Sequence, residues 1–167
     1  MSLFTAIYVF LLIELSFISY LDIKYRKIKN FWSILNLLIS GFLFIFHEEI
    51  YPFELEAFQF GLVFLFTGFL LYMLKIMGGG DSKFLATFFI LVPLKEQEIV
   101  FYYLLIITII VGLIFFLRSI FMNIEKIVEG FKIGDIKMIK GSFGKKFPFA
   151  PVIWLTWIWY GLEKFYF

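Results

Sequence analysis

Residues 100–117 read VFYYLLIITIIVGLIFFL, a run without a single charged side chain. A helix needs roughly 20 consecutive apolar residues to cross the hydrocarbon core of a bilayer, and this run comes close. It shows no strand alternation, and only helices or closed barrels satisfy every backbone N–H and C=O in lipid. The run therefore reads as a membrane helix. Residues 4–20, FTAIYVFLLIELSFISY, are similar and carry one charged residue, Glu14. Working outward, the apolar runs fall at 2–21, 31–46, 57–77, 84–94, 99–121 and 149–162, which predicts about six transmembrane helices.

Composition agrees. The 167 residues are 62% hydrophobic and 17% charged, against roughly half and a quarter in ordinary soluble domains. The expectation is an all-α integral membrane protein forming one membrane-embedded domain over residues 1–167. The first apolar run lacks a basic start and a small-residue cleavage site, so it does not read as a secretory signal. With no cysteine, disulfides, thiolate zinc sites and a cysteine nucleophile are excluded. Neither a metal nor another cofactor is expected. The lipid bilayer is an expected partner and nucleic acid is not.

The connections alternate in charge. DIKYRKIKN (22–30) carries Lys24, Arg26, Lys27 and Lys29, whereas HEEIYPFELE (47–56) carries four glutamates and no lysine or arginine. Lys75 and Lys83 flank three glycines, KEQE (95–98) is mainly acidic, and residues 123–148 hold six lysines. Basic loops stay cytoplasmic. This puts 13 of 15 basic residues inside, with Lys95 and Lys164 outside, and it turns both termini outward. The protein is expected in the cell (inner, cytoplasmic) membrane. After the fifth run, Ile124, Ile127, Val128 and Phe131 recur at helical spacing with Glu125, Lys126, Glu129 and Lys132 opposite. That pattern predicts an amphipathic helix on the inner leaflet.

The fourth run is short and follows IMGGGDSK, residues 76–83. It can span only if its helix begins near Asp81 or Ser82, or if the bilayer thins. Taken alone, Asp81 could simply be a helix N-cap after a tight glycine turn. Asp22 is harder to explain. It ends the first helix, where a negative charge meets the negative end of the helix dipole, and exposed pairing with neighbouring lysines is worth little. The topology brings both aspartates to the cytoplasmic side at similar depth. The only histidine, His47, lies in the outward loop. Two carboxylates a few ångströms apart cannot both ionise cheaply, so such a pair shares a proton. The ionised member then activates water, while the protonated member assists the peptide carbonyl and the leaving amine. Gly78, Gly79 and Gly80 would let a substrate backbone approach and let the loop move.

These residues resemble the type IV prepilin (leader) peptidases, which belong to the G-x-G-D intramembrane aspartyl proteases. GGGDSK (78–83) matches G-x-G-D-x-K. DIKYRKIKN matches D-x-[KR]-x-[RK]-x-I-P-N except that Lys29 replaces proline, and KKFPFAP (145–151) is similar to the P-F-x-P segment before the final helix. The resemblance implies catalytic aspartates at Asp22 and Asp81. It also implies a pilin-like precursor partner with a short basic leader and a hydrophobic N-terminal helix, cut at the cytoplasmic face. Larger members add a cysteine-bearing segment and N-methylation. This chain lacks that segment, so no methyltransferase activity is expected, and the short form resembles Tad-type prepilin and archaeal preflagellin peptidases. Oligomeric state is left open.

Other acidic residues compete for attention. Glu14, about 12 Å along the helix axis from Asp22, reads as an interior residue hydrogen-bonded to Ser16 or Asn36, although intramembrane acids are functional candidates by default. Asp135, in IGDIKMIKG, reads as a surface turn. The alternative reading is that Glu125, Glu129 and Asp135 attract a basic leader. Lys83 either tunes Asp81 or contacts headgroups. Trp154, Trp157 and Trp159 read as an interfacial anchor. Signal-peptide-peptidase-like enzymes share G-x-G-D, but FAPV substitutes poorly for their P-A-L. The alternative outside enzymes is a transporter or assembly subunit using intramembrane acids as a proton relay. Relay acids belong near the membrane midplane, a position only Glu14 satisfies.

Overall fold

The computed structural model describes residues 2–74, 77–135 and 148–166. Within them lie six helices and no strand: α1 (Leu3–Tyr25), α2 (Asn30–Phe46), α3 (Leu55–Met73), α4 (Gly79–Leu91), α5 (Leu94–Ile133) and α6 (Ala150–Tyr166). Three of them, α1, α3 and α5, are long and apolar enough to cross a membrane. The chain forms two compact units. One spans 1–104 and 148–167, and the other spans 105–147.

The first unit buries polar residues and exposes apolar ones. Glu14, Ser19, Asp22, Ser33, Asn36 and Ser40 are buried, while Ile13, Phe17, Leu38, Ile45, Phe66 and Phe69 are exposed. Water would not sustain that arrangement, but a hydrocarbon solvent does. This is a membrane protein.

At the centre of this unit stands α4. Ser82, every residue from Phe84 to Phe89, and Leu91 are buried, so beyond Lys83 no residue of this helix is exposed, as expected for a helix segment apolar all round. Two small residues let α3 approach closely. A side chain at Gly68 would collide with Ser82, and a Cβ at Gly61 would lie 2.7 Å from Ile90 and 3.1 Å from the Ala86 carbonyl. Small residues at such crossings are how membrane helices gain packing energy. On the far side, α6 lies along α1. Tyr8 occupies the space over Gly161, and its ring stacks on Trp157 with centroids 5.3 Å apart. Trp157 also meets Phe88 edge-on, tying α6 to α4.

That contact corrects one expectation. Trp157 is fully buried and donates its indole N–H to the Tyr8 carbonyl at 3.0 Å, so it is a core residue and not an interfacial anchor. Trp159 is exposed, and Trp154 donates to Ser16 Oγ at 2.8 Å.

At 13 residues, α4 is about 20 Å long, well short of a bilayer core. Its far end is closed by side chains. The Phe89 carbonyl would look four residues on to Pro93, which has no N–H. Gln97 Nε2 supplies the missing donor at 2.9 Å and also reaches the carbonyls of Val92 and Ala57 at 3.1 and 3.0 Å. Tyr51, folded in from the α2–α3 loop, donates to the Leu91 carbonyl at 2.8 Å. Replacing Gln97 with leucine keeps the volume and strands these carbonyls. The variant is expected to lose about 2–4 kcal/mol of stability, measured as a lower thermal midpoint in detergent. An unchanged midpoint would refute this account of the short helix.

The second unit is the remainder of α5 and the residues after it. Asn123 interrupts the helix with φ −122° and ψ 19°, and its side chain donates to the Ser119 carbonyl at 3.0 Å. The amphipathic segment expected after residue 123 is thus the continuation of α5 beyond this break. It ends at Gly134, φ +73°, a left-handed helix terminator.

Candidate active site

Both sequence-predicted aspartates lie in the first unit, at helix ends. Asp22 is in the last turn of α1 and is 4% exposed. The helix stops four residues later because Arg26 turns left-handed, φ +54°, and returns its N–H to the Asp22 carbonyl at 2.9 Å. The Asp22 carboxylate finds its partner outside its own helix. Its Oδ2 accepts the backbone N–H of Ala150, the first residue of α6, at 3.0 Å. The positive end of α6 therefore offsets the unfavourable dipole of α1.

Asp81 is half-buried at the third position of α4. This helix begins at Gly79, ahead of the start near Asp81 or Ser82 that the sequence suggests. The reason is local. Asp81 Oδ2 reaches back to accept the Gly78 N–H at 3.1 Å, and the Asp81 N–H donates to the Gly78 carbonyl at 3.1 Å. Asp81 thus serves as the acceptor of a capping box, not as the N-cap.

The two segments touch. A Cβ on Gly80 would fall 2.5 Å from the Ile28 carbonyl oxygen, and Ile28 is itself buried. So the backbone of the glycine stretch lies against the backbone of 22–30, six residues beyond Asp22. The neighbouring glycines are looser. A Cβ at Gly79 would meet only the Tyr72 ring at 3.5 Å, and one at Gly78 would meet the Asp81 carboxylate at 2.8 Å. Lys83 is exposed and Ser82 is buried. Lys29, where the resembled motif has proline, has φ −76°, a value proline also adopts, so the substitution leaves the turn intact.

With the two aspartates and their glycine loop thus arranged, comparison with known proteins becomes informative. A family model described as the type IV leader peptidase family matches residues 9–117. The chain belongs to that family. The match spans both aspartates of this leader peptidase homologue and stops short of α6. No curated protein and no solved structure matches the chain significantly.

The remaining candidates fall elsewhere. Glu14 is buried, and with the amide of Asn36 oriented to pair donor with acceptor, its nitrogen donates to both Glu14 oxygens at 3.1 and 3.2 Å. Of the two partners considered, Asn36 is the one; Ser16 instead donates to the Leu12 carbonyl at 2.7 Å. Glu14→Gln keeps the size and an acceptor. It is expected to cleave precursor within about threefold of wild type, since it keeps an acceptor for Asn36 and lies about 12 Å along the helix axis from Asp22. Loss of cleavage at matched protein level would promote Glu14 to the reaction itself. Asp135 follows the left-handed Gly134, and its N–H donates to the Gly130 carbonyl at 2.9 Å. It sits at a helix C-terminus, an environment opposite to that of Asp81. Residues 136–147, including Lys145 to Phe147 of the KKFPFAP stretch, and Lys75 lie outside the described residues. Among the described residues no group of three or more His, Cys, Asp or Glu side chains gathers as a metal site would require.

The sequence did not point to Ala150 as the partner of Asp22, 128 positions away. Its one signal was the proline-flanked start of the last helix.

Proposed function

We propose that this protein is a membrane aspartyl endopeptidase that removes the short basic leader of pilin-like precursors at the cytoplasmic face, using Asp22 and Asp81. The observation carrying this reading is the direct backbone contact of Gly80 with Ile28. It joins the two aspartate-bearing segments of a chain in the leader peptidase family. In the proposed reaction one carboxylate takes a proton from water, which attacks the peptide carbonyl. The other hydrogen-bonds the carbonyl oxygen and then protonates the leaving amine.

Charge supports the cytoplasmic assignment. Lys24, Arg26, Lys27 and Lys29 are exposed just beyond Asp22, and Lys83 just beyond Asp81. Glu48, Glu49 and Glu54 are exposed in the loop at the opposite end of α2. By the positive-inside rule all six helices cross or enter the inner membrane with both termini outside. Cleavage leaves the new N-terminus unmethylated.

The test is co-expression with a pilin-like precursor, reading the mass of the new N-terminus and, in inverted vesicles, the side on which the leader is released. An intact precursor in the presence of folded protein would refute the reading. Proton uptake without cleavage would support the proton-relay alternative, with the Glu14–Asn36 pair at its centre.

A further inference from the structure

The opening turn of α6 has an unusual shortage of donors. Every helix begins with N–H groups that lack an intrahelical acceptor, and a Ser, Thr, Asp or Asn side chain commonly satisfies one of them. Here the cap position is Phe149, whose side chain has no oxygen to offer. Its carbonyl accepts from Val152 at 3.0 Å and from Ile153 at 3.4 Å. Pro151 contributes no N–H at all. That leaves Ala150, fully buried, whose N–H goes to Asp22 Oδ2 at 3.0 Å. A buried N–H and a buried carboxylate oxygen, each costly to leave unpaired, thus satisfy one another across the helix bundle.

From this geometry we infer that the main-chain N–H of Ala150 is a positioning group for the reaction, fixing the Asp22 carboxylate so that the last helix forms part of the active site. The inference rests on the proposal that Asp22 is catalytic. Pro151 makes the arrangement selective. An ordinary residue there would bring a second donor into the same turn to compete for the carboxylate, whereas proline leaves one. Asp22 in turn acts as the tertiary N-cap of α6. The two ends are therefore coupled, and the active site cannot be assembled from residues 1–104 alone.

The test removes that one hydrogen atom from the full-length protein. Replacing Ala150 with lactic acid, by nonsense suppression, exchanges its N–H for an ester oxygen. Ala150→Pro does the same while keeping the Phe149 carbonyl an amide, and proline is at home in the first position of a helix. Substituting Val152 by α-hydroxyisovaleric acid is the control, since it deletes a neighbouring N–H that bonds Phe149 and not Asp22. Cleavage is read on protein that keeps wild-type helical circular dichroism, below its thermal midpoint. Both Ala150 variants are expected to lose about 10–100-fold in kcat, the order of loss when a catalytic group is displaced by up to about 1 Å, with KM for the precursor within about twofold. The Val152 variant keeps kcat within about threefold. Wild-type kcat in either Ala150 variant, an equal kcat loss in the Val152 control, or an effect confined to KM would each overturn the inference. Asp22→Asn, assayed alongside, separates the two levels. If it cleaves normally, the catalytic assignment itself falls; if it is inactive while Ala150→lactate is normal, only the positioning role falls.

Discussion

Asp22→Asn and Asp81→Asn will each lower precursor cleavage by about a hundredfold to ten-thousandfold, and Asp135→Asn will leave it unchanged. The size follows from the chemistry. An amide can neither take a proton from water nor give one to the leaving amine, and each of these acid–base roles is worth about 10²–10⁴ in rate. The two losses should not multiply in the double variant, because residues acting as one unit are strongly non-additive. Folding should survive both changes. Asparagine at 22 keeps an oxygen for the Ala150 N–H, and asparagine at 81 keeps one for the Gly78 N–H. The measurement is single-turnover cleavage at matched membrane levels, followed by the mass of the product. Wild-type cleavage by either variant would end the two-carboxylate mechanism. Loss of cleavage in Asp135→Asn would mean that the second G-D sequence has a part in the reaction.

The helical membrane class was legible because it depends on run length. The 100–117 stretch lies within a helix long and apolar enough to cross, and Glu14, the one charged residue of the 4–20 run, is buried within α1. The aspartate segments were legible because their spacing is local. What escaped the reading was decided by tertiary partners. Nothing near Trp157 says that it stacks on Tyr8, so an aromatic belt was the natural expectation. Nothing near Pro93 says that Gln97 would supply the donor it lacks. The start of α4 lies two to three residues ahead of the expected Asp81 or Ser82, an offset that arose because the glycines looked like loop. Once Asp81 reaches back to Gly78, helical geometry extends over Gly79 and Gly80, and the carboxylate is fixed by its own helix. The same reasoning explains Asp22. A helix-end carboxylate looked unfavourable only while the N-terminus of α6 was out of view.

Gly80→Ala will reduce kcat by about a hundredfold, and Gly79→Ala will barely change it. Both residues lie in the first turn of α4, where alanine is intrinsically favoured over glycine by about 1 kcal/mol. Propensity alone therefore predicts that both substitutions stabilise the helix. Packing distinguishes them. At Gly79 the new methyl meets the edge of the Tyr72 ring at 3.5 Å, an ordinary contact with an exposed side chain that can give way. At Gly80 it would meet the Ile28 carbonyl oxygen at 2.5 Å. A main-chain carbonyl cannot rotate aside as a side chain can, so the two segments must part. A displacement of about 1 Å at a catalytic constellation costs on the order of 10²-fold in rate. Because the helix itself gains from alanine, Gly80→Ala should remain folded and bind precursor with little change in KM. Gly78→Ala should fall between them, since the nearest atoms to its methyl belong to the Asp81 carboxylate, a side-chain end, at 2.8 Å. The order Gly79, Gly78, Gly80 in increasing severity is therefore the expected result of a kcat series on the three variants. If instead all three lost activity equally, the glycines would matter for loop freedom, and the Gly80–Ile28 contact would not govern the reaction.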